Sequence, residues 1–472
     1  MPENSWPESD SCSTPKSLDT VLLEAAALAE EEGLDYPSGE GRRRKAALML
    51  AMVWSSTIAL HLMSGGVWIV FGVTTLMGVH AFRLLRARAV PMPEPLDSDL
   101  PEADYPYISL LVAAKNEAAV IRELVETLCA LDYPSSRYEL WVIDDNSTDE
   151  TSPVLQSLRQ QYPQLQLKRR SANEGGGKSG ALNQVLPLTK GDIIGVFDAD
   201  ARVTGDLLRQ VVPFFERERV GAVQVRKAIA NTQTNFWTKG QSAEMILDAF
   251  WQQRRIALGG IGELRGNGQF VRRTALEQCG GWNEETITDD LDLTLRLHLS
   301  EWDIDFLLQP AVQEEGVTRA VSLWHQRNRW AEGGYQRYLD YWPLLIRNRL
   351  GFRKSIDLLM FWITQYFLPS AAVPDLLMAT TRNQLPLLTP ITGITLGLSV
   401  VGMWAGLDRV RRQQQQPFRP WVLAIQTVRG TLYMCHWFVV VASAMARMSV
   451  RPKRLKWVKT MHQGAGEVCI QE

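Results

Sequence analysis

The stretch GDIIGVFDADARV, residues 191 to 203, closes an apolar run with two carboxylates, Asp198 and Asp200, one residue apart. Ile193 to Phe197 reads as a buried strand of a parallel sheet, and such sheets present ligand sites at the carboxyl ends of their strands. The pattern recurs upstream. YISLLVAA (107 to 114) runs into Lys115-Asn116-Glu117, and YELWVIDD (138 to 145) runs into Asp144, Asp145 and Asp149. Any one of these is explained by a solvated turn or a helix cap, and Ser147 or Thr148 ahead of Glu150 and Thr151 fits a cap. The set is better explained by a divalent cation that offsets the carboxylates, and oxygen ligands with no Cys or His among them suit magnesium or manganese.

Beside that set stands Gly175-Gly176-Gly177-Lys178. Three glycines let backbone approach a ligand closely, and Lys178 brings a charge that suits a diphosphate. The segment is not a nucleoside-triphosphatase loop, because Ala172 stands where that motif needs its first glycine, six residues before Lys178, and no strand leads directly into it. Downstream, ITDDLDL (287 to 293) offers Asp289, Asp290 and Asp292. One carboxylate suffices as the base of a single displacement, and spacing alone does not choose among the three. Charges at a helix N-terminus explain Asp289 or Asp292 equally well.

Between Tyr105 and about Arg337 strands alternate with helices. Helices are expected over 117 to 131, 151 to 161 and from 205 to 215, and QVRKAIAN (224 to 231) ends a further candidate strand, with Arg226 or Lys227 available to a ligand. The rhythm predicts a doubly wound α/β domain whose strand ends gather the ligands.

Apolar segments flank this domain. Residues 46 to 82 contain no Asp, Glu, Lys or Arg, and the run is about twice the roughly 20 residues one crossing needs. Ser64-Gly65-Gly66 supplies a turn, so two transmembrane helices are predicted. GRRRK (41 to 45) and RLLRARA (83 to 89) place both ends in the cytoplasm by the positive-inside rule. Residues 355 to 379, 385 to 407 and 420 to 448 are also long enough to cross, and Arg429 interrupts the last. Three crossings would put the basic stretch 451 to 460 outside, so the crossing number is left open and the tail (449 to 472) is expected inside. DYWPLLIRNRLGFRK (340 to 354) mixes apolar and basic residues as an interfacial amphipathic helix does. Residues 1 to 40 carry ten acids against one lysine and read as a disordered cytoplasmic tail. A net charge of −2 argues against a nucleic-acid partner, and five widely spaced cysteines without a CxxC pair suggest neither a disulfide framework nor zinc.

The ordered set VIDDNSTD, GGGKSGALN, FDAD, ITDDLDL and QRNRW (326 to 330) resembles the membrane-bound inverting glycosyltransferases of family 2. That resemblance implies a GT-A-like, Rossmann-related catalytic domain, cytoplasmic and flanked by transmembrane helices, with a nucleotide-sugar donor. It implies that Ala114, Asn116, Glu117 and Asp145 line the nucleotide pocket, that Lys178 faces the diphosphate, and that Asp198 and Asp200 hold Mg2+ or Mn2+. Asp290 matches the base, and Gln326, Arg329 and Trp330 the element closing over diphosphate and acceptor. Two departures stand out: TDD where relatives often have TED, and Gly266-Asn267-Gly268 where processive members tend to have a Gly-Ser pair at the acceptor wall. Over nearly the whole chain the likeness is to the cyanobacterial-type branch that makes β-monoglucosyldiacylglycerol. It implies UDP-glucose as donor and 1,2-diacylglycerol as acceptor; a processive polysaccharide synthase is the alternative.

Overall fold

The computed structural model describes residues 41 to 451. The acidic stretch 1 to 40 and the basic stretch from 452 onward lie outside them. The core is a seven-stranded sheet in the order β3-β2-β1-β4-β6-β5-β7. Its strands are β1 (Ile108–Ala114), β2 (Tyr138–Asp144), β3 (Leu165–Arg169), β4 (Ile193–Phe197), β5 (Val220–Ile229), β6 (Gln269–Arg272) and β7 (Asp303–Glu314). β3, β2, β1 and β4 run parallel, whereas β6 is antiparallel to both β4 and β5.

Strands covered on both faces are mostly apolar, and β4 is wholly so; β1 and β2 each bury one polar residue near the start, Ser109 and Glu139, which satisfy each other at 2.7 Å. One face packs Leu110 and Val112 against the helix Ile121–Cys129, which buries Ile121, Leu124, Val125 and Leu128 at helical spacing. The other packs Leu111, Ile143 and Val196 against Leu182 and Trp282. The sequence reading passed over β3, β6 and β7. It also drew one helix through 205 to 215, where the α-helix is short (Leu207–Val211) and a 3-10 turn holding Pro213 follows.

Among the described residues, five stretches are long and apolar enough to cross a membrane: Arg42–Leu62, Gly66–Arg86, Phe352–Thr381, Thr389–Gln413 and Pro420–Val450. The first two join at residues 63 to 65; near their outer ends the first meets the helix Ala320–Ile346 and the second meets the stretch Phe352–Thr381. Arg42 bonds Asp340, with Nε to both carboxylate oxygens at 2.9 Å, and His80 lies 3.5 Å from Asp357. At the far end His61 meets Asp375 at 2.7 Å. The last stretch comprises Pro420–Met434, which carries Arg429, and His436–Val450, meeting at Cys435.

Residues 340 to 354 do not form the single interfacial helix their composition suggested. The helix Ala320–Ile346 ends there, Asn348 (φ 56) and Gly351 (φ 77) turn the chain, and Phe352 opens the next helix. The left-handed backbone at these two residues cannot continue a right-handed helix. Trp342, Ile346 and Phe352 nevertheless stay exposed around the turn.

Candidate active site

Because β1, β2 and β4 are parallel, Ala114, Asp144 and Phe197 end at one edge, and the loops beyond them must be fixed by side chains. Asn116 (φ 56) and Asn146 (φ 57) turn the chain there in the left-handed region, which Asn tolerates. Ser147 Oγ accepts from Asn116 N–H at 2.9 Å, Thr151 Oγ1 from Glu117 N–H at 2.8 Å, and Asn116 Oδ1 from Thr148 N–H at 2.7 Å. Ser147 and Thr148 therefore tie two loops together and do not cap the next helix. Asp145 N–H donates to Ala114 O at 2.8 Å, which sets its carboxylate at the mouth between β1 and β2.

Arg170, which follows β3, escaped the sequence reading. Only 2 % exposed, it donates to Asp145 Oδ1 at 2.6 Å, to Gly177 O at 3.1 Å and to Gly175 O. One guanidinium thus fixes both the nucleotide-side carboxylate and the glycine loop. Its only sequence signal is the basic pair Arg169-Arg170 leading into that loop. Gly176 adopts φ 78, and a Cβ there would fall 2.9 Å from the Cα of Gly180, so the loop requires glycine. The helix Gly177–Val185 begins at this point, with its first N–H groups available to an anion.

Asp198 and Asp200 follow β4. Lys178 Nζ lies 2.6 Å from Asp198 Oδ1, and Asp200 Oδ2 accepts from Glu315 N–H at 3.0 Å. Burial pulls the Lys178 pKa down, but Asp198, Asp289 and Asp290 outweigh it and raise the value, so this ammonium stays charged. The residues fit a hard divalent cation. Among the described residues no group of three or more His, Cys, Asp or Glu could hold a metal, so the protein offers two carboxylates and a diphosphate would complete the oxygen shell. The ammonium already resting on Asp198 is a cation in that place.

Asp290 opens the helix Asp289–Leu299. Burial, then the neighbouring Asp289 charge, push its pKa up to about 6 against the Leu291 N–H, Arg265 and Lys227. A base poised there is deprotonated at neutral pH and still basic enough to take a proton. Asp292 is spent on structure, accepting from Arg296 Nε at 2.7 Å and Tyr341 OH at 2.9 Å. Gly266 (φ 81) brings bare backbone beside the base, since a Cβ there would lie 3.4 Å from Asp290 Oδ2. Asn267 is fully buried; its Oδ1 accepts from Asp198 N–H at 3.2 Å, so it backs the carboxylate pair.

Gln326, Arg329 and Trp330 lie on Ala320–Ile346. Lys227 Nζ stands 5.3 Å from the Trp330 ring centroid and Arg327 Cζ 4.0 Å from it. Burial lowers the Arg329 pKa, an effect the Asp198 charge opposes. Among the described residues, buried Gln326 Oε1, Asp289 Oδ2 and Thr288 Oγ1 have no hydrogen-bond partner. Such atoms lining the same cavity as Asp290 suit a polar ligand.

Ala114, Glu117, Asp145, Lys178, Asp198, Asp200, Gly266, Asp290, Gln326, Arg329 and Trp330 all line one cavity of about 1870 Å³; Asn116 and Asn267 stand behind its wall. The cavity continues to Met77, Met360, Leu396 and Phe438, on four of the membrane-length stretches. A buried network closes its flank. Glu263 meets Arg265 at 2.7 Å, Arg337 at 2.6 Å and Arg255 at 3.3 Å, and Arg255 reaches Asp357 at 2.8 Å.

The pattern of the family described as "Glycosyltransferase like family 2" matches residues 106 to 333. A beta-monoglucosyldiacylglycerol synthase of Nostoc sp. is 60 % identical over 99 % of this chain and 100 % of its own length. A protein of the same name from Synechocystis sp. is 53 % identical over 100 % of this chain and 99 % of its own. A mannosyltransferase of Pyrobaculum calidifontis, solved with GDP-Man and Mn2+, superposes with a TM-score of 0.54 at 21 % identity, covering 84 % of this chain and 99 % of that one, which places the fold in the GT-A class. The chain belongs to glycosyltransferase family 2 and, within it, to the family of the beta-monoglucosyldiacylglycerol synthases.

Proposed function

We propose that the protein transfers glucose from UDP-glucose to the free hydroxyl of 1,2-diacylglycerol, with inversion at the sugar carbon, giving β-monoglucosyldiacylglycerol. The observation that carries this reading is the single cavity, ionic at the Asp198 end and apolar where Met360, Leu396 and Phe438 line it. Such a space suits one charged and one lipid substrate. The names of the full-length relatives support the same pair.

In this reading Asp145, held by Arg170, binds the uridine, with Ala114, Asn116 and Glu117 shaping its pocket. Lys178 and Arg329 face the diphosphate. Asp290 accepts the acceptor's hydroxyl proton as that oxygen bonds to the sugar carbon, and UDP leaves with the electrons of the broken bond. Gly266 leaves room for the hydroxyl beside Asp290, with Gln326 and Trp330 above it. A divalent cation, Mg2+ or Mn2+, held by Asp198 and Asp200 would offset the charge growing on the leaving diphosphate. The basic flanks 41 to 45 and 83 to 89 support a cytoplasmic catalytic domain, 105 to 337, on a multi-pass anchor.

The test is to incubate the detergent-solubilised protein with magnesium, radiolabelled UDP-glucose and dioleoylglycerol, beside D200N, and to separate the lipids. One monohexosyl lipid, cleaved by β-glucosidase and absent from the variant, is the expected result. Label retained as long polymer would replace the reading with a polysaccharide synthase.

A further inference from the structure

Three arginines meet where the catalytic domain abuts the end of a membrane-length helix. Arg226 lies on β5, Arg254 on the helix Phe236–Ala257, and Arg409 near the C-terminal end of Thr389–Gln413. Arg226 donates from Nε to Leu308 O at 3.0 Å, Arg254 stacks 3.7 Å from the Phe250 ring centroid, and Arg409 donates to the Gln253 side chain. The three are half-buried, and among the described residues none of them pairs with a carboxylate. The adjacent acid, Asp408, is engaged by Arg411 and Arg412 at 2.7 Å each. Among the described residues, the buried Nε of Arg254 has no hydrogen-bond partner.

Other buried arginines of this domain behave differently. Arg255, Arg327 and Arg337 each hold a carboxylate within 3.3 Å. By contrast burial, and then the charge of Arg409, lower the pKa values of both Arg226 and Arg254, so this trio repels itself. Partly desolvated cations left without counter-charge are costly, and a guanidinium fork matches phosphate oxygens in pairs. Side chains alternate along a strand. Lys227 therefore turns toward Glu314 and Trp330, at the donor side, while Arg226 turns away from them.

We propose that Arg226, Arg254 and Arg409 form a second anion site, separate from the donor's, that takes the headgroup phosphate of an anionic membrane lipid. The source is a lipid because Arg409 closes a helix whose Leu396, Val400, Val401 and Trp404 are exposed, giving acyl chains a surface beside the headgroup. Arg226 also borders the long cavity, so a lipid held here lies next to the acceptor's path.

The experiment follows thermal unfolding of the full-length protein in neutral detergent, with no donor or acceptor, so its outcome is independent of the proposed reaction. Short-chain phosphatidylglycerol should raise the Tm of the wild type by several degrees, as any ligand of the folded state does, and phosphatidylcholine of equal chain length should not. R409Q should unfold at a higher temperature than wild type without lipid, because a repelled charge is gone. R409Q and R254Q should both lose the response to phosphatidylglycerol. A response in these variants equal to wild type, or a lipid-free Tm of R409Q below wild type, overturns the site. An equal rise with inorganic phosphate overturns the lipid source and assigns the site to a soluble anion.

Discussion

The donor and acceptor ends of the cavity are built in opposite ways. At the donor end most polar groups satisfy one another, and the two buried atoms there that lack a hydrogen bond among the described residues, Arg170 Nε and Asp144 Oδ2, still lie 3.3 Å from Glu174 and 3.7 Å from Arg169. Asn116, Ser147, Thr148 and Thr151 join neighbouring loops, and Arg170 ties Asp145 to the glycine loop. At the acceptor end Thr288, Asp289 and Gln326 keep buried atoms without hydrogen-bond partners among the described residues. What holds that end together includes pairs far apart in sequence: Arg42 on Asp340, Arg255 on Asp357 and Arg337 on Glu263. The first arrangement is a socket complete before its ligand arrives. The second is kept open and clamped from the membrane side, and the acceptor supplies the missing partners.

The contrast breaks most sharply at Asp290. D290N should lower kcat by about 10³-fold, the scale of a lost general base, and leave UDP binding, read by calorimetry, near wild type. The same variant should unfold at a higher temperature. Because the folded pKa is raised to about 6, the folded state keeps a proton that the unfolded chain has lost, so stability falls as pH rises through that window and remains reduced above it. The amide escapes that loss. Unchanged kcat would remove Asp290 from the chemistry.

R170Q tests the other end. It removes a charge-assisted bond worth about 1.5–3 kcal/mol, so KM for UDP-glucose should rise about 10- to 100-fold while KM for diacylglycerol stays put. A parallel rise in both would show that the two ends are not built separately. The pH profile is gentler: kcat/KM should fall about tenfold per unit below pH 6, as Asp290 gains its proton, and level off above it. D290N should show no such limb. Smallest is G266A. Its backbone sits at φ 81 with the Cβ contact to Asp290 at 3.4 Å, and a side chain in that region costs about 1–2 kcal/mol, so a several-fold loss of kcat with donor KM unchanged is expected.

The donor end was the legible one. β1, β2 and β4 announce themselves as largely apolar runs that give way to Lys115-Asn116, Asp144-Asp145 and Asp198, because a doubly covered strand admits few polar residues, and those only paired, as Ser109 is with Glu139. β3 and β6 are short, and β7 crosses Gln309-Pro310 and ends in polar residues, so they carry no such pattern. Arg170 had only the basic pair it forms with Arg169 as a local signal, and Glu263 had none that reveals Arg337, a partner only the tertiary fold brings near. The turn after Ile346 could have been read. Asn348 and Gly351 are the residues that stop helices, and the amphipathic pattern around them concealed the break.

The cavity that reaches from Asp198 to Phe438 also decides what need not happen. Moving one methylene from hydrocarbon to water costs about 0.8 kcal/mol, so extracting some thirty methylenes of a two-chain lipid would cost roughly 25 kcal/mol, more than a transferase barrier can bear. In the proposed reaction the apolar lining at Met360, Leu396 and Phe438 lets the tails stay in hydrocarbon while only the hydroxyl reaches Asp290, so turnover requires no solubilised intermediate.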